Sequence, residues 1–123
     1  MKQNIIREKS RKFAVRIVRL YQYLREARHE FVLSKQLLRS GTSIGANIRE
    51  GDYAQSRADF IAKMTIALKE SAETEYWLEL LAETGYLTEE QYASIHQDAE
   101  ELLRILTRII NTAKKSQRKN NDD

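Results

Sequence analysis

The sequence predicts an all-α protein that folds as an antiparallel, up-down-up-down four-helix bundle. The 123-residue chain contains no proline and only four glycines, and proline is the residue that most often interrupts helices and marks turns. Four segments carry apolar residues at the 3.6-residue spacing of an amphipathic helix. The polar breaks between these segments are short, as they are between antiparallel neighbours in a bundle. At this length the helices form one domain.

The apolar spacing places the four helices at about residues 8–28, 31–50, 57–84 and 89–115. Together they make a single bundle domain over residues 1–115. Residues 116–123 contain only Lys, Ser, Gln, Arg, Asn and Asp. Such a segment cannot bury apolar area, so we expect a disordered polar tail.

Capping residues are consistent with these boundaries. Ser10 is a candidate N-cap of the first helix, although helical spacing begins as early as Asn4. Ser56 with an acidic residue three positions later predicts the third helix start, and Thr88 with a glutamine at the same spacing predicts the fourth. Gly51 and Gly85 are each expected just after a helix as a C′ residue.

The second helix is unusual because it carries Gly41 and Gly45 in its interior. Each glycine costs a helix about 1 kcal/mol relative to alanine. The two are four residues apart, so they share a face with apolar residues such as Ile44 and leave a smooth groove beside them. We expect a neighbouring helix to approach closely along this groove. The same steric logic operates between membrane helices.

Polar residues border this groove on the second helix. Ser40, Ser43 and Asn47 lie at half-buried depth, with Arg39 and Glu50 beyond them. An unpaired buried polar group costs about 1–3 kcal/mol, so these side chains need partners. We expect hydrogen bonds between helices that set the register of the bundle. A ligand-binding site is the alternative.

The net charge of +3 conceals a strongly basic first helix. Residues 1–28 carry nine Lys or Arg and two Glu. Helical spacing puts four of these cations on one stripe, and two more follow at the end of the fourth helix. This set is the candidate contact surface for nucleic-acid phosphates: Lys9, Lys12, Arg16, Arg19, Lys114 and Lys115. The alternative is a solvated face whose long side chains cover the edge of the bundle.

Metal and cofactor chemistry is not expected. The chain has no cysteine, and His29 and His96 are remote from each other without a ligand cluster around either. The Glu-x-x-His signature of di-iron bundles is absent. Glu75 lies close to the apolar stripe of the third helix, where a carboxylate invites an acid–base role. We favour instead an ion pair with Arg39 or a hydrogen bond to the polar row of the second helix.

Localisation follows from two absences in the sequence. No apolar segment follows the basic N-terminus, which argues against a secretory signal. No run of about 18 apolar residues is present that would span a membrane. We therefore expect a cytoplasmic protein.

Three segments resemble a known family. R-S-G-T-S-I-G-A-N-I-R-E-G, from Arg39 to Gly51, is similar to the hallmark of the bacterial four-helix bundle family of 23S rRNA intervening-sequence proteins. The resemblance continues over Asp59–Glu70 and Glu73–Leu81. The chain differs from many members at Lys69 and Glu70, which stand where those members have Gly-Ser. It also lacks their prolines, and Gly45 follows Ile44 where they carry one.

The resemblance implies a four-helix bundle that assembles into a ring-like homopentamer. The chain is similar also to the accessory proteins of diversity-generating retroelements, which share that assembly and bind nucleic acid through basic surfaces. The family is named after open reading frames that lie within insertions in 23S rRNA genes. The resemblance implies no enzyme activity and supplies no catalytic residue.

Two functions follow as hypotheses. The first is a non-enzymatic homo-oligomer that binds structured RNA or DNA through the basic first helix. The second is a structural or protein-interaction module without a nucleic-acid ligand. They differ in whether the basic stripe is free, covered by a neighbouring subunit or neutralised by acidic residues. An enzyme is a third hypothesis, and against it the two histidines, His29 and His96, do not converge in sequence.

Overall fold

The computed structural model describes the backbone of residues 2–122 and the side chains of residues 5–119. Four helices fold within these limits: α1 (Lys2–Glu26), α2 (Leu33–Gly51), α3 (Arg57–Glu83) and α4 (Glu89–Asp122). Helix α1 packs against α2 and α4, and α3 packs against the same two helices. The described residues form no strand. The predicted all-α four-helix bundle is confirmed.

The core lies along the axis of the bundle, and each helix contributes one stripe to it. Phe13 and Ile17 of α1, Met64 of α3 and Leu106 of α4 are at most 2% exposed. The spacing of these residues agrees with the helical period read from the sequence. Burial of this stripe on all four helices is the main source of stability, because isolated helices of this length are marginal in water.

Helix α1 begins earlier than the sequence predicted, and Ser10 is not its cap. Ser10 lies two turns inside the helix, is 1% exposed and donates its hydroxyl to the carbonyl oxygen of Arg7 at 3.0 Å. Ile6 is also buried, so the apolar stripe starts one turn before Ser10. That extra buried turn stabilises a helix that extends back to Lys2.

Helix α4 is longer than the sequence predicted. The segment expected to be a disordered tail continues the helix from residue 116 to Asp122, and Asp123 lies outside the described residues. No glycine or proline follows Gly85, so nothing in the sequence ends the helix. Ala113 is the last buried residue among the described side chains, and the hydrogen bonds of the helix continue from that buried turn.

The caps of α3 and α4 adopt the geometry that the sequence indicates. The Ser56 hydroxyl accepts the backbone N–H of Asp59 at 3.1 Å. Thr88 and Gln91 exchange reciprocal bonds of 2.9 and 3.1 Å. Gly85 has a φ of +84° after the end of α3, a conformation that glycine adopts without strain.

Gly51 was expected to be a C′ glycine, and this expectation is wrong. Gly51 is the last residue of α2, and Asp52 follows it in right-handed helical geometry. A Cβ atom at Gly51 would collide with Cε of Met64 in α3. Glycine leaves room here for the end of the flexible Met64 side chain between α2 and α3, which would have to shift for any larger residue.

Candidate functional site

Two of the candidate phosphate-binding cations on α1 face acidic residues of α4. Lys9 Nζ lies 3.2 Å from Glu101 Oε1. Arg16 lies 2.7 Å from Asp98 Oδ2 and donates a second bond to the Ser94 hydroxyl at 3.0 Å. These contacts span the gap between the two helices, so both cations serve the bundle itself.

Lys12 and Arg19 complete the predicted stripe, and they have different surroundings. Lys12 pairs with Glu8 one turn earlier on the same helix, at 3.1 Å. Arg19 forms no ion pair among the described residues. It lines a cleft of about 500 Å³ between α1 and α4, together with Leu20, Tyr23 and Ile95. One of the four cations of the stripe is thus left without a carboxylate partner.

Lys114 and Lys115 are exposed near the C-terminal end of α4. They follow Glu101, the partner of Lys9, by more than three helical turns, which is about 20 Å along the helix. The structure therefore does not bring them together with Arg16 and Arg19 into one patch. They form a separate basic end of the molecule.

The glycines of α2 face α1. A Cβ atom on Gly41 would lie 2.8 Å from both Cγ atoms of Ile17, and one on Gly45 would lie 3.4 Å from Ser10 Oγ. Because residue numbers fall along α1 as they rise along α2, the two helices are antiparallel. Ile44 is fully buried beside this seam. The groove predicted on α2 thus receives α1.

The polar row of α2 is satisfied mainly within its own helix. Ser43 donates to the Arg39 carbonyl oxygen at 2.6 Å, and Asn47 donates to the Ser43 carbonyl oxygen at 2.8 Å. The expected bonds from these two side chains to another helix do not form. Ser40 does bond across helices, because its buried hydroxyl accepts that of Thr74 in α3 at 2.9 Å.

The charged residues of the same row pair with α3. Arg39 reaches Glu70 at 3.2 Å and also pairs with Glu73. Glu50 lies 2.9 Å from Lys63. These exposed pairs join the antiparallel helices two turns into α2 and again at its C-terminal end, and no convergent polar pocket lies between them among the described residues.

Glu75 does not reach the second helix, which corrects the predicted partners. It faces α4, where its Oε1 lies 3.6 Å from His96 Nδ1 without a hydrogen-bond partner. Burial raises the pKa of Glu75; the nearby His96 opposes that shift and Glu100 adds to it. Tyr92 stacks on the His96 ring with 5.1 Å between ring centroids.

The sequence contained a signal for this cluster. Tyr92, His96 and Glu100 follow one another at four-residue spacing, which places them on one face of α4. Only the packing of α3 against α4 brings Glu75 to them. Within the described side chains, no group of three or more histidine, cysteine or acidic residues is arranged to hold a metal ion.

The fold and its surface define a class of small all-helical bundle in which most buried polar side chains bond within their own helix, at a helix start or across a seam. Nothing in the geometry of the described residues points to catalysis. Over the described part of the chain, the helices are too short or too polar to cross a bilayer.

Comparison with known proteins identifies the family. The family model for the 23S rRNA-intervening sequence protein matches residues 2–108, so the chain belongs to this family, as the three sequence segments indicated. A protein of unknown function from the S23 ribosomal protein family of Bacteroides thetaiotaomicron, known from a crystal structure, has 62% sequence identity to this chain. The match covers 90% of this chain and 99% of that one, with a TM-score of 0.89. No curated protein matches the sequence.

Proposed function

We propose that the protein is a non-enzymatic, homo-oligomeric interaction module that works in the cytoplasm. The observation that carries the proposal is a pair of exposed apolar side chains one turn apart on the outer face of α1. Val15 is 43% and Val18 37% exposed, and both line a shallow groove with Arg11 and Arg19. Apolar side chains that share an exposed groove with arginine are typical of protein interfaces.

The charge pattern of α1 supports this proposal over the hypothesis of a basic nucleic-acid stripe. Lys9 and Arg16 are engaged by α4, and Lys12 is engaged by Glu8. A phosphate backbone would have to displace these carboxylates before it gained the charge of the stripe. Neutralisation of the basic stripe on α1 by acidic residues of the same chain therefore favours an interaction module.

The subunit number is part of the proposal. The family resemblance implies a ring-like homopentamer. Multi-angle light scattering after gel filtration tests association directly, because one chain has a mass of 14.4 kDa. A pentamer would elute as a single species of about 72 kDa, five times that mass. A stable monomer across the micromolar range would overturn the proposal of a homo-oligomer.

Binding of structured RNA or DNA is the second candidate. It is supported by the unpaired Arg19 beside Tyr23 in the α1–α4 cleft and by the exposed Lys114 and Lys115 on α4. The family description, with its reference to 23S rRNA, also favours this candidate. In this arrangement phosphates contact the arginine and lysines, and a base stacks on the tyrosine ring.

A direct binding measurement tests the second candidate. Fluorescence anisotropy with labelled 23S rRNA fragments should give a dissociation constant that rises steeply with salt. Replacement of Arg19, Lys114 and Lys115 by glutamate should weaken binding at least tenfold. Lys9→Gln is a single-site control, because Lys9 already has a carboxylate partner. Equal binding by the triple variant and the wild type would contradict this candidate.

A further inference from the structure

The outer surface formed by α1 and α2 is strongly basic. We call it the α1–α2 face and define it by four exposed cations that form no ion pair among the described residues: Arg11, Arg25, Lys35 and Arg49. Between them the floor of the face is made of small side chains, among them Ala14, Thr42 and Ala46, around a cavity of about 260 Å³. A small-residue floor permits close approach of another helix.

The outer surface formed by α3 and α4 is acidic toward the end of α3 and the start of α4. We call it the α3–α4 face and define it by four carboxylates around one aromatic ring: Glu75, Glu79, Glu83 and Glu100 beside Tyr92. His96 lies between two of these carboxylates, 3.6 Å from that of Glu75 and 3.5 Å from that of Glu100. Tyr76 follows Glu75 on α3 and is 53% exposed.

The two faces lie on opposite sides of the bundle. Helix α1 contacts α2 and α4, and α3 contacts the same two helices, so the α1–α2 edge lies opposite the α3–α4 edge. Their charges therefore cannot neutralise each other within one chain. Between chains they can, because opposite surfaces of a subunit meet when subunits associate head to tail.

We infer that the α1–α2 face of one copy binds the α3–α4 face of the next copy. This inference rests on the proposed homo-oligomer and names its interface. The arrangement is heterologous, because each subunit uses two different surfaces, and such a contact closes into a ring when the rotation between neighbouring subunits is a whole fraction of a full turn. Complementary charge sets the orientation and excludes contact between two like faces.

The charges also match in position along the bundle. Arg25 lies at the end of α1 and Lys35 at the start of α2. Glu79 and Glu83 lie in the last two turns of α3. Because the helices alternate in direction, all four residues lie near the same end of the bundle. Subunits with parallel axes in a ring therefore place the cations of one copy opposite the carboxylates of the next.

The size of the faces is adequate for a stable contact. Two adjacent helices make a surface about 20 Å wide, and a helix of 25 residues is about 37 Å long. The resulting area is about 700 Å², and a typical stable interface buries about 800 Å² on each partner. Exposed Val18 and Tyr76 provide apolar contact within these areas.

Charge reversal tests the interface. Arg25→Glu with Lys35→Glu makes one end of the α1–α2 face acidic, and Glu79→Arg with Glu83→Arg makes the facing end basic. Each double variant should raise the dissociation constant of the oligomer at least tenfold, measured by sedimentation velocity. A chain that carries all four substitutions should reassemble, because the exchanged charges are again complementary.

Controls distinguish loss of this interface from loss of folding and from the absence of any oligomer. All four residues are exposed, and circular dichroism should show helicity unchanged in every variant. Lys12→Glu with Arg108→Glu makes the same charge change at exposed positions on the α1–α4 side, outside both faces, and should leave assembly intact. A wild-type monomer would overturn the homo-oligomer proposal. An oligomer that persists in both double variants, or fails to return in the fourfold variant, would overturn only this interface.

Discussion

Helix α1 packs against its two neighbours in opposite ways. On the α2 side, Gly41 and Gly45 leave room for Ile17 and Ser10 to lie against the backbone of α2. On the α4 side, long side chains span the gap, with Lys9 reaching Glu101 and a cleft of about 500 Å³ nearby. One seam is closed by small residues, and the other is bridged by charged ones.

The difference shows how one helix serves two purposes. Close packing buries apolar surface and makes dispersion contacts that salt does not weaken. Exposed ion pairs contribute about 0–1 kcal/mol each and are screened by salt. The α1–α2 seam therefore determines the arrangement of the bundle, and the α1–α4 seam tolerates change and provides the open cleft.

The largest effect is expected at the closed seam. Gly41→Val should destabilise the protein by about 3 kcal/mol, because its side chain overlaps Ile17, which is fully buried. Urea unfolding followed by circular dichroism measures this loss. Gly45→Ala is the matched control, since a Cβ there lies at ordinary contact distance. It should be neutral or stabilise by up to about 1 kcal/mol through helix propensity.

A compensating change sharpens this prediction. Ile17→Ala should recover part of the stability lost in Gly41→Val, because it empties the space that the valine needs. A double-mutant cycle with a favourable coupling free energy would support direct contact. Strictly additive losses would show that Gly41 is constrained by something other than Ile17.

The connection that closes the α1–α2 seam should give the next largest effect. Glu30 is 7% exposed and accepts the backbone N–H groups of Val32, Leu33 and Ser34 at 2.7–3.1 Å. Glu30→Ala removes these bonds at the start of α2 and should cost about 2 kcal/mol. Glu30→Gln retains one acceptor oxygen and should cost less. Equal stability of the alanine variant and the wild type would contradict this role.

The same residue predicts a pH dependence. Burial raises the pKa of Glu30, but the backbone donors outweigh burial and hold that pKa below its ordinary value. The folded state therefore binds fewer protons than the unfolded state. The stabilisation by Glu30 is complete above the unfolded pKa and is lost as pH falls through the folded pKa. Melting temperatures between pH 7 and pH 2 should fall less in Glu30→Gln than in the wild type.

The bridged seam should respond weakly. Arg16→Ala removes the contacts with Asp98 and Ser94 and should cost about 0.5 kcal/mol at low salt. The loss should shrink in 1 M NaCl, whereas that of Gly41→Val should not. Lys12→Ala is the control, because its partner Glu8 lies on the same helix and bridges no seam. A loss for Arg16→Ala as large as that for Gly41→Val would remove the distinction between the seams.

The smallest effect is expected at Glu75, between α3 and α4. Burial raises the pKa of this carboxyl, and Glu100 adds to the shift although His96 opposes it. At this carboxyl the folded state binds more protons than the unfolded state does. The free energy of unfolding therefore falls as pH rises from the pKa of the unfolded state through that of the folded state. Glu75→Gln should flatten that part of the profile and stabilise slightly at pH 7. Differential scanning calorimetry from pH 4 to pH 8 measures both changes.

Much of the fold could be predicted from the sequence because its determinants are local. The apolar spacing predicted four helices, and Ser56, Thr88 and Gly85 marked three of their ends. The predictions were wrong where local signals compete with packing. Ser10 resembles a cap in sequence but lies inside α1, and Gly51 resembles a helix stop but makes room for Met64. The segment expected to be a disordered tail continues α4 to Asp122, because it contains no glycine or proline to end the helix.

The candidate site was less predictable, because its charges depend on partners distant in sequence. The stripe of cations on α1 was visible from its spacing alone. That Arg16 meets Asp98, 82 positions later, was not. Glu75 was correctly placed near the apolar stripe of α3. Its predicted partners lie on α2, whereas the structure places it beside His96 of α4. The side chains of Ser43 and Asn47 hydrogen-bond to carbonyl oxygens of α2 itself. Residue spacing along a helix does not distinguish such bonds from bonds between helices.

The sequence by itself determined the helices, the apolar stripe of each, the close approach at Gly41 and Gly45 and the family. These properties depend on helical periodicity and on the size of single side chains, both of which are local. Only the tertiary structure decided which helix enters the glycine groove, which cations are neutralised and which two faces carry uncompensated charge. Those properties depend on the rotation and axial offset of each helix relative to its neighbours. The offset is set by packing across the whole bundle, so no single segment of the sequence contains it.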